Sequence, residues 1–251
     1  MPEPESQKPR SELPLVQLLP NFLTIMALCA GLTAIRFAAQ GRFGYAVGLM
    51  VVAAVLDGLD GRLARLLKRE SEIGAELDSL GDFVNFGVAP ALTMYFWAFQ
   101  AFPDWSRAGW IAALIYAVCC VMRLARFNVG QRAATDPTEK TDFVGVPSPA
   151  GAMLALGPMY FSYMFERAPA LPPALVAIWL VGVGALMISR MPTPSFKKTT
   201  IYAEHARYIV LGFVALVAAL LSFPWTTLFA LDLAYVAALA VAFRQSRKSH
   251  L

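Results

Sequence analysis

Apolar residues in this chain run in stretches of about twenty. They do not follow the short alternation of a half-buried strand or the narrow stripe of a soluble helix. Eight such stretches stand out, at roughly 21–39, 43–66, 80–101, 109–128, 148–166, 172–190, 208–223 and 225–243. About 20 apolar residues in a helix cross the hydrocarbon of a bilayer. The pattern therefore predicts an all-α fold, a polytopic membrane bundle of about eight spans. The last two stretches are shorter and share a turn at Phe223-Pro224-Trp225, which predicts a hairpin that either spans or re-enters. Leu13 to Leu19 forms a short N-terminal amphipathic segment, expected along the membrane surface before Pro20-Asn21 turns the chain inward. The polar, Pro-rich residues ahead of it read as a tail and not as a signal peptide, because no apolar core follows a basic start.

Composition sharpens this picture. Hydrophobic residues make up 58% of the 251 residues and charged residues 15%, with a mean hydropathy of +0.56. That leaves too little polar surface to cover a water-exposed globule, and extended disorder is excluded because it needs low hydrophobicity. Cys29, Cys119 and Cys120 all lie in apolar runs, without a CxxC pair, and are expected as small buried side chains and not as a disulfide or zinc framework. His205 and His250 are far apart, so neither a histidine metal site nor a Ser–His–Asp triad can be built. No nucleic-acid partner is expected.

The net charge of +4 matters less than its placement. With the N-terminus in the cytosol and the spans alternating, 17 of the 21 Lys and Arg fall inside, and only Arg36, Arg42, Arg107 and Arg167 fall outside. The positive-inside rule then puts both termini and the 67–79, 129–147 and 191–207 loops in the cytosol, as in a protein of the bacterial inner membrane.

The segment that carries chemistry is 57–82, DGLDGRLARLLKRESEIGAELDSLGD, between the second and third spans. Asp57 and Asp60 are spaced i, i+3, and Asp78 and Asp82 i, i+4, so each pair shares one face of a helix. A short turn around Gly74 would set the two helices antiparallel and let the four carboxylates converge. Four carboxylates at the edge of a bilayer repel one another and are costly to desolvate. Divalent cations offset that cost. Hard oxygen ligands without nearby His or Cys favour Mg²⁺, Mn²⁺ or Ca²⁺ over Zn²⁺. Four carboxylates suffice for two ions about 3.5–4 Å apart, the spacing that clamps a phosphoryl group during displacement. Gly58 and Gly61 remove side chains beside the acidic pair, and Arg65, one turn beyond Gly61, is placed to take a phosphate oxygen.

The spacing D-x2-D-G-x2-A-R-x8-G-x3-D-x3-D is met by Asp57, Asp60, Gly61, Ala64, Arg65, Gly74, Asp78 and Asp82. In this the chain resembles the CDP-alcohol phosphatidyltransferases. The resemblance implies a dimeric membrane enzyme with a six-helix core and a cytosol-facing polar cavity. In these terms residues 1–20 are tail and interfacial segment, 21–190 the catalytic core, and 191–251 a cytosolic loop, the C-terminal hairpin and a tail. It further implies that Asp57, Asp60, Asp78 and Asp82 bind two metals and that Asp82 also acts as the base. Gly58, Gly61, Ala64, Arg65 and Gly74 would contact the CDP moiety, and Asn21 and Lys197 are assigned with them to CDP-diacylglycerol.

The flanking strings Pro20-Asn21-Phe22-Leu23-Thr24, Phe86-Gly87-Val88-Ala89-Pro90, Arg123-Leu124-Ala125-Arg126-Phe127-Asn128 and Gly145-Val146-Pro147-Ser148-Pro149 narrow the resemblance to members that use L-serine as acceptor. The zwitterionic acceptor needs a cation for its carboxylate. Arg126 is the first candidate, with Arg123 and Asn128 beside it. Other acceptors stay open, namely glycerol 3-phosphate, inositol phosphate or choline. From another class, so does a cation transporter built on intramembrane carboxylates, although such a path gains nothing from Arg65 in its midst.

Overall fold

The computed structural model describes residues 19–66, 72–133, 145–165, 171–189 and 206–248. They are helical almost throughout, and no strand is present among them. In chain order the helices are α1 (Leu19–Ala39), α2 (Phe43–Leu66), α3 (Glu72–Asp82), a π-helical stretch (Phe83–Val88), α4 (Ala89–Ala98) and α5 (Pro103–Ala133). They continue with α6 (Ser148–Ala155), α7 (Gly157–Met164), α8 (Pro173–Ile188), α9 (Ala206–Ser222) and α10 (Pro224–Lys248).

Among the described residues, four helices are long and apolar enough to cross a membrane, within α1, α2, α5 and α10. α8 and α9 are shorter apolar helices. Phe22, Tyr45, Val55, Ile178, Leu211 and many other large apolar side chains lie on the outside of the bundle. Water would not tolerate such a surface on this scale, but lipid does. The chain is a polytopic helical integral membrane protein.

Small residues let the helices approach. Ala27, Gly31, Ala34 and Ala38 form a buried stripe on α1, which packs along α2. A Cβ on Gly31 would run into the Asn85 side chain of the π-helical stretch. α5 packs along α8, where Gly184 lies against Cys119 and Tyr116. Cys119 and Cys120 are buried as expected, whereas Cys29 is exposed on the outer face of α1, because the inward stripe of that helix passes through Ala27 and Gly31.

Two spans are interrupted, and each break lies just ahead of a proline. The third span was expected at 80–101, but helix starts at Glu72, runs through the π-helical stretch and ends at Ala98. Pro90 has no N–H for the carbonyl of Phe86, four residues back. The Tyr116 hydroxyl of α5 donates to that carbonyl instead, at 2.7 Å. The fifth span breaks between α6 and α7. There Pro158 leaves the carbonyl of Leu154 free, and Trp179 Nε1 on α8 donates to it at 2.7 Å. In lipid a freed carbonyl must find a partner inside the protein. These two bonds tie the broken spans to α5 and α8.

Gly74, expected in the turn between the acidic helices, lies inside α3. The residues between α2 and α3, 67–71, lie outside the described residues. The interfacial segment before Leu19 also lies outside them.

Candidate active site

The acidic pairs reach one another as their spacing predicts. α2 carries Asp57 and Asp60, and α3 carries Asp78 and Asp82. Asp57, Asp60 and Asp78 each offer a carboxylate oxygen within 4.8 Å of the others. Asp82 joins them through a side-chain hydrogen-bond contact with Asp57. Two carboxylates in contact repel unless a proton or a cation lies between them. Asp60 is 2% exposed, and Asp60 Oδ1 and Asp82 Oδ1 are both buried without a hydrogen-bond partner. Buried carboxylate oxygens left unpaired are costly, so the cluster suits a divalent cation, and its all-oxygen donors suit Mg²⁺ or Mn²⁺.

The shell around the cluster contains residues that the motif does not include. Thr24 Oγ1, on α1, lies 2.6 Å from Asp60 Oδ2, to which it donates, and 3.1 Å from the Pro20 carbonyl. This fixes one oxygen of Asp60 and leaves the other facing the cluster. Arg123, near the end of α5, is within electrostatic reach of Asp82. Its Nη1 donates to Ser148 Oγ at 2.6 Å, and its guanidinium lies 5.8 Å from the centre of the Phe127 ring. Ser148 is held in turn by the segment before it. Gly145 has φ +88°, and a Cβ there would come within 2.5 Å of the Met187 carbonyl oxygen. Only glycine permits this approach, which brings the start of α6 against the end of α8.

The other candidates are placed as follows. Asn21 is half-buried in the first turn of α1, and Gly74 is half-buried in α3. Gly58 and Gly61 border open space, since a Cβ on either would meet nothing within 4 Å. Ala64 and Arg65 belong to α2, but their side chains, like the whole of Lys197, lie outside the described residues. Arg126 is exposed, and its Nη1 donates to the Ile188 carbonyl at 3.0 Å. Asn128 Nδ2 donates to Ser79 Oγ at 2.8 Å, beside Asp78. Thr24 and Ser148 were legible only as members of the strings Pro20–Thr24 and Gly145–Pro149, with no role attached.

The family model for CDP-alcohol phosphatidyltransferase matches residues 17–189. The chain belongs to that family. It is 37% identical over 244 residues to the CDP-diacylglycerol–serine O-phosphatidyltransferase of Mycobacterium leprae (strain TN), covering 96% of this chain and 80% of that one. To the protein of the same name in Mycobacterium tuberculosis (strain ATCC 25618 / H37Rv) it is 36% identical, over 92% of this chain and 80% of the relative. To that of Bacillus subtilis (strain 168) it is 36% identical, over 72% of this chain and 92% of the relative.

Proposed function

We propose that this enzyme transfers the phosphatidyl group of CDP-diacylglycerol to the hydroxyl of L-serine, giving phosphatidylserine and CMP. The observation that carries the chemistry is the convergence of Asp57, Asp60 and Asp78 within 4.8 Å, with Asp82 in contact with Asp57. The choice of serine is supported by relatives of that name that are 36–37% identical over more than nine-tenths of the chain.

The four Asp hold two divalent cations, Mg²⁺ or Mn²⁺. Once bound, these supply neutralising charge for the diphosphate and the departing CMP. Thr24 keeps Asp60 turned toward them. The open face at Gly58 and Gly61 takes the CDP moiety, and Arg65 and Lys197 meet the diphosphate. Asp82 Oδ1 accepts the proton of the serine hydroxyl as that oxygen bonds to the phosphorus carrying diacylglycerol and the P–O bond to CMP breaks. Positioning supplies much of the rate, because phosphoryl-group transition states are loose. The cationic requirement of the acceptor carboxylate is met at Arg123, the guanidinium within reach of Asp82. Arg126, bonded to the Ile188 carbonyl, supports this wall. The bias of 17 basic residues against 4 supports a site on the cytosolic face of a bacterial inner membrane.

The test is CMP release and labelled headgroup transfer by purified protein, with CDP-diacylglycerol and a panel of serine, glycerol 3-phosphate, inositol phosphate and choline. Serine alone should enter lipid. Activity should vanish in EDTA and return with Mg²⁺ or Mn²⁺. Transfer to another acceptor in place of serine overturns the acceptor, and full activity in metal-free buffer overturns the metals.

A further inference from the structure

The family match ends at residue 189, yet the molecule continues into α9 and α10. α10 is not an appendage. It packs against α7 and touches α6, and its inward stripe is Leu228, Asp232, Tyr235 and Leu239. The spacing 228, 232, 235, 239 is that of one helix face. Two members of the stripe are polar. Asp232 faces the break between α6 and α7, where a Cβ on Gly157 would lie 3.2 Å from Asp232 Oδ2. Tyr235 is one turn further along the same face.

The Tyr235 hydroxyl is buried and has no hydrogen-bond partner. A buried phenol normally finds one, and an orphan of this kind calls for an explanation. Arg123 is the charged group within its electrostatic reach. Arg123 is also within reach of Asp82. The guanidinium is therefore the charged group shared by Asp82 and the unpartnered phenol of α10, which packs on α6, the helix that Ser148 begins. Ser148 takes one of its N–H groups, at 2.6 Å. A guanidinium has five N–H donors, so others remain for a ligand.

An amino acid with a nucleophilic hydroxyl fits this set of groups. Its hydroxyl belongs at Asp82, and its carboxylate one short side chain away, at the cation. We infer that Tyr235, from the C-terminal hairpin, donates its hydroxyl to the carboxylate of the acceptor serine held by Arg123. This rests on the serine reading above and deepens it. A phenol is a suitable second donor, because it adds a hydrogen bond without adding charge. It would also make the hairpin part of acceptor selection, although it lies beyond the family's matched region.

Tyr235→Phe keeps the ring and its packing and removes only the hydroxyl. Steady-state transfer by the full-length variant should show the KM for serine raised about tenfold, the scale of one hydrogen bond to a charged group. The KM for CDP-diacylglycerol should stay within about twofold of wild type on the same reasoning, because the hydroxyl faces the acceptor and not the nucleotide. Serinol, which lacks the carboxylate, supplies the second measurement. The preference of the enzyme for serine over serinol should narrow in Tyr235→Phe by the same factor as the KM rises. A structural role would change both acceptors alike. Serine transfer with an unmoved KM, or with the serinol preference intact, overturns the role of Tyr235 alone. Absence of serine transfer by the wild-type chain overturns the serine reading and this inference with it.

Discussion

Asp60 needs two things that its own helix cannot supply: a fixed direction and an open oxygen. Thr24 supplies the first from 36 residues away, with a 2.6 Å bond to Oδ2, and Oδ1 is left for a cation. Residues behind a metal ligand commonly set its affinity. Thr24→Val keeps the shape and removes the donor, whereas Thr24→Ser keeps the donor. A hydrogen bond to a charged group is worth about 1.5–3 kcal/mol. Thr24→Val should therefore weaken Mn²⁺ binding about tenfold or more, read by paramagnetic titration of the purified protein, and Thr24→Ser should restore most of it. Equal Mn²⁺ affinity in wild type and Thr24→Val would remove Thr24 from the positioning role. The glycines offer a cleaner separation of folding from binding. A Cβ on Gly61 meets nothing within 4 Å, and alanine favours a helix over glycine by about 1 kcal/mol. Gly61→Ala should therefore keep or raise the unfolding temperature in detergent while weakening CDP-diacylglycerol. If binding is unchanged, the open face is not where the nucleotide sits.

At the scale of elements, the two proline breaks share one logic. Each proline frees the carbonyl four residues back, and each carbonyl is taken by an aromatic donor on a neighbouring span, Tyr116 for Phe86 and Trp179 for Leu154. The first break begins directly after Asp82, so the wider π-helical turn starts where the acidic helix ends. The second separates α6, whose first residue holds Arg123, from α7, on which α10 packs. Trp179→Phe keeps an aromatic ring at this position and leaves the Leu154 carbonyl without its donor. The cost should be about 1–2 kcal/mol, between the averages for bilayer hydrogen bonds and for orphaned buried acceptors. Thermal unfolding in detergent should show a lower midpoint than in Trp105→Phe, a substitution at a partly exposed Trp with no such bond. Matching midpoints would mean that the Leu154 carbonyl finds another partner.

For the molecule as a whole, the sequence made the spans and the acidic cluster legible because both are local. Hydrocarbon thickness sets the length of an apolar run, and helical periodicity sets i, i+3 and i, i+4. What it did not reveal depends on how distant helices register. The Thr24–Asp60 bond joins α1 to α2, and Tyr235 approaches Arg123 from the far end of the chain. Cys29 faces outward because the small residues beside it face α2, which no count of apolar neighbours discloses. The turn assigned to Gly74 was misplaced because glycine marks a possible reversal without requiring one, and here it sits inside α3. The orientation of the bundle rests on the distribution of Lys and Arg, and it has a direct consequence for the site. The α2–α3 reversal holds the acidic cluster, so the side of the membrane that it faces decides where CDP-diacylglycerol and serine are met. In the proposed orientation, which places 17 basic residues on that side and 4 on the other, positions 70 and 136 are expected in the cytosol and position 104 on the opposite face. In a background where Cys29, Cys119 and Cys120 are Ser, single cysteines placed at Glu70, Asp136 and Asp104 report this through an impermeant thiol reagent. Glu70→Cys and Asp136→Cys should label only in inverted vesicles, and Asp104→Cys only in intact cells. The reverse pattern would turn the bundle over and move the acidic cluster out of the cytosol.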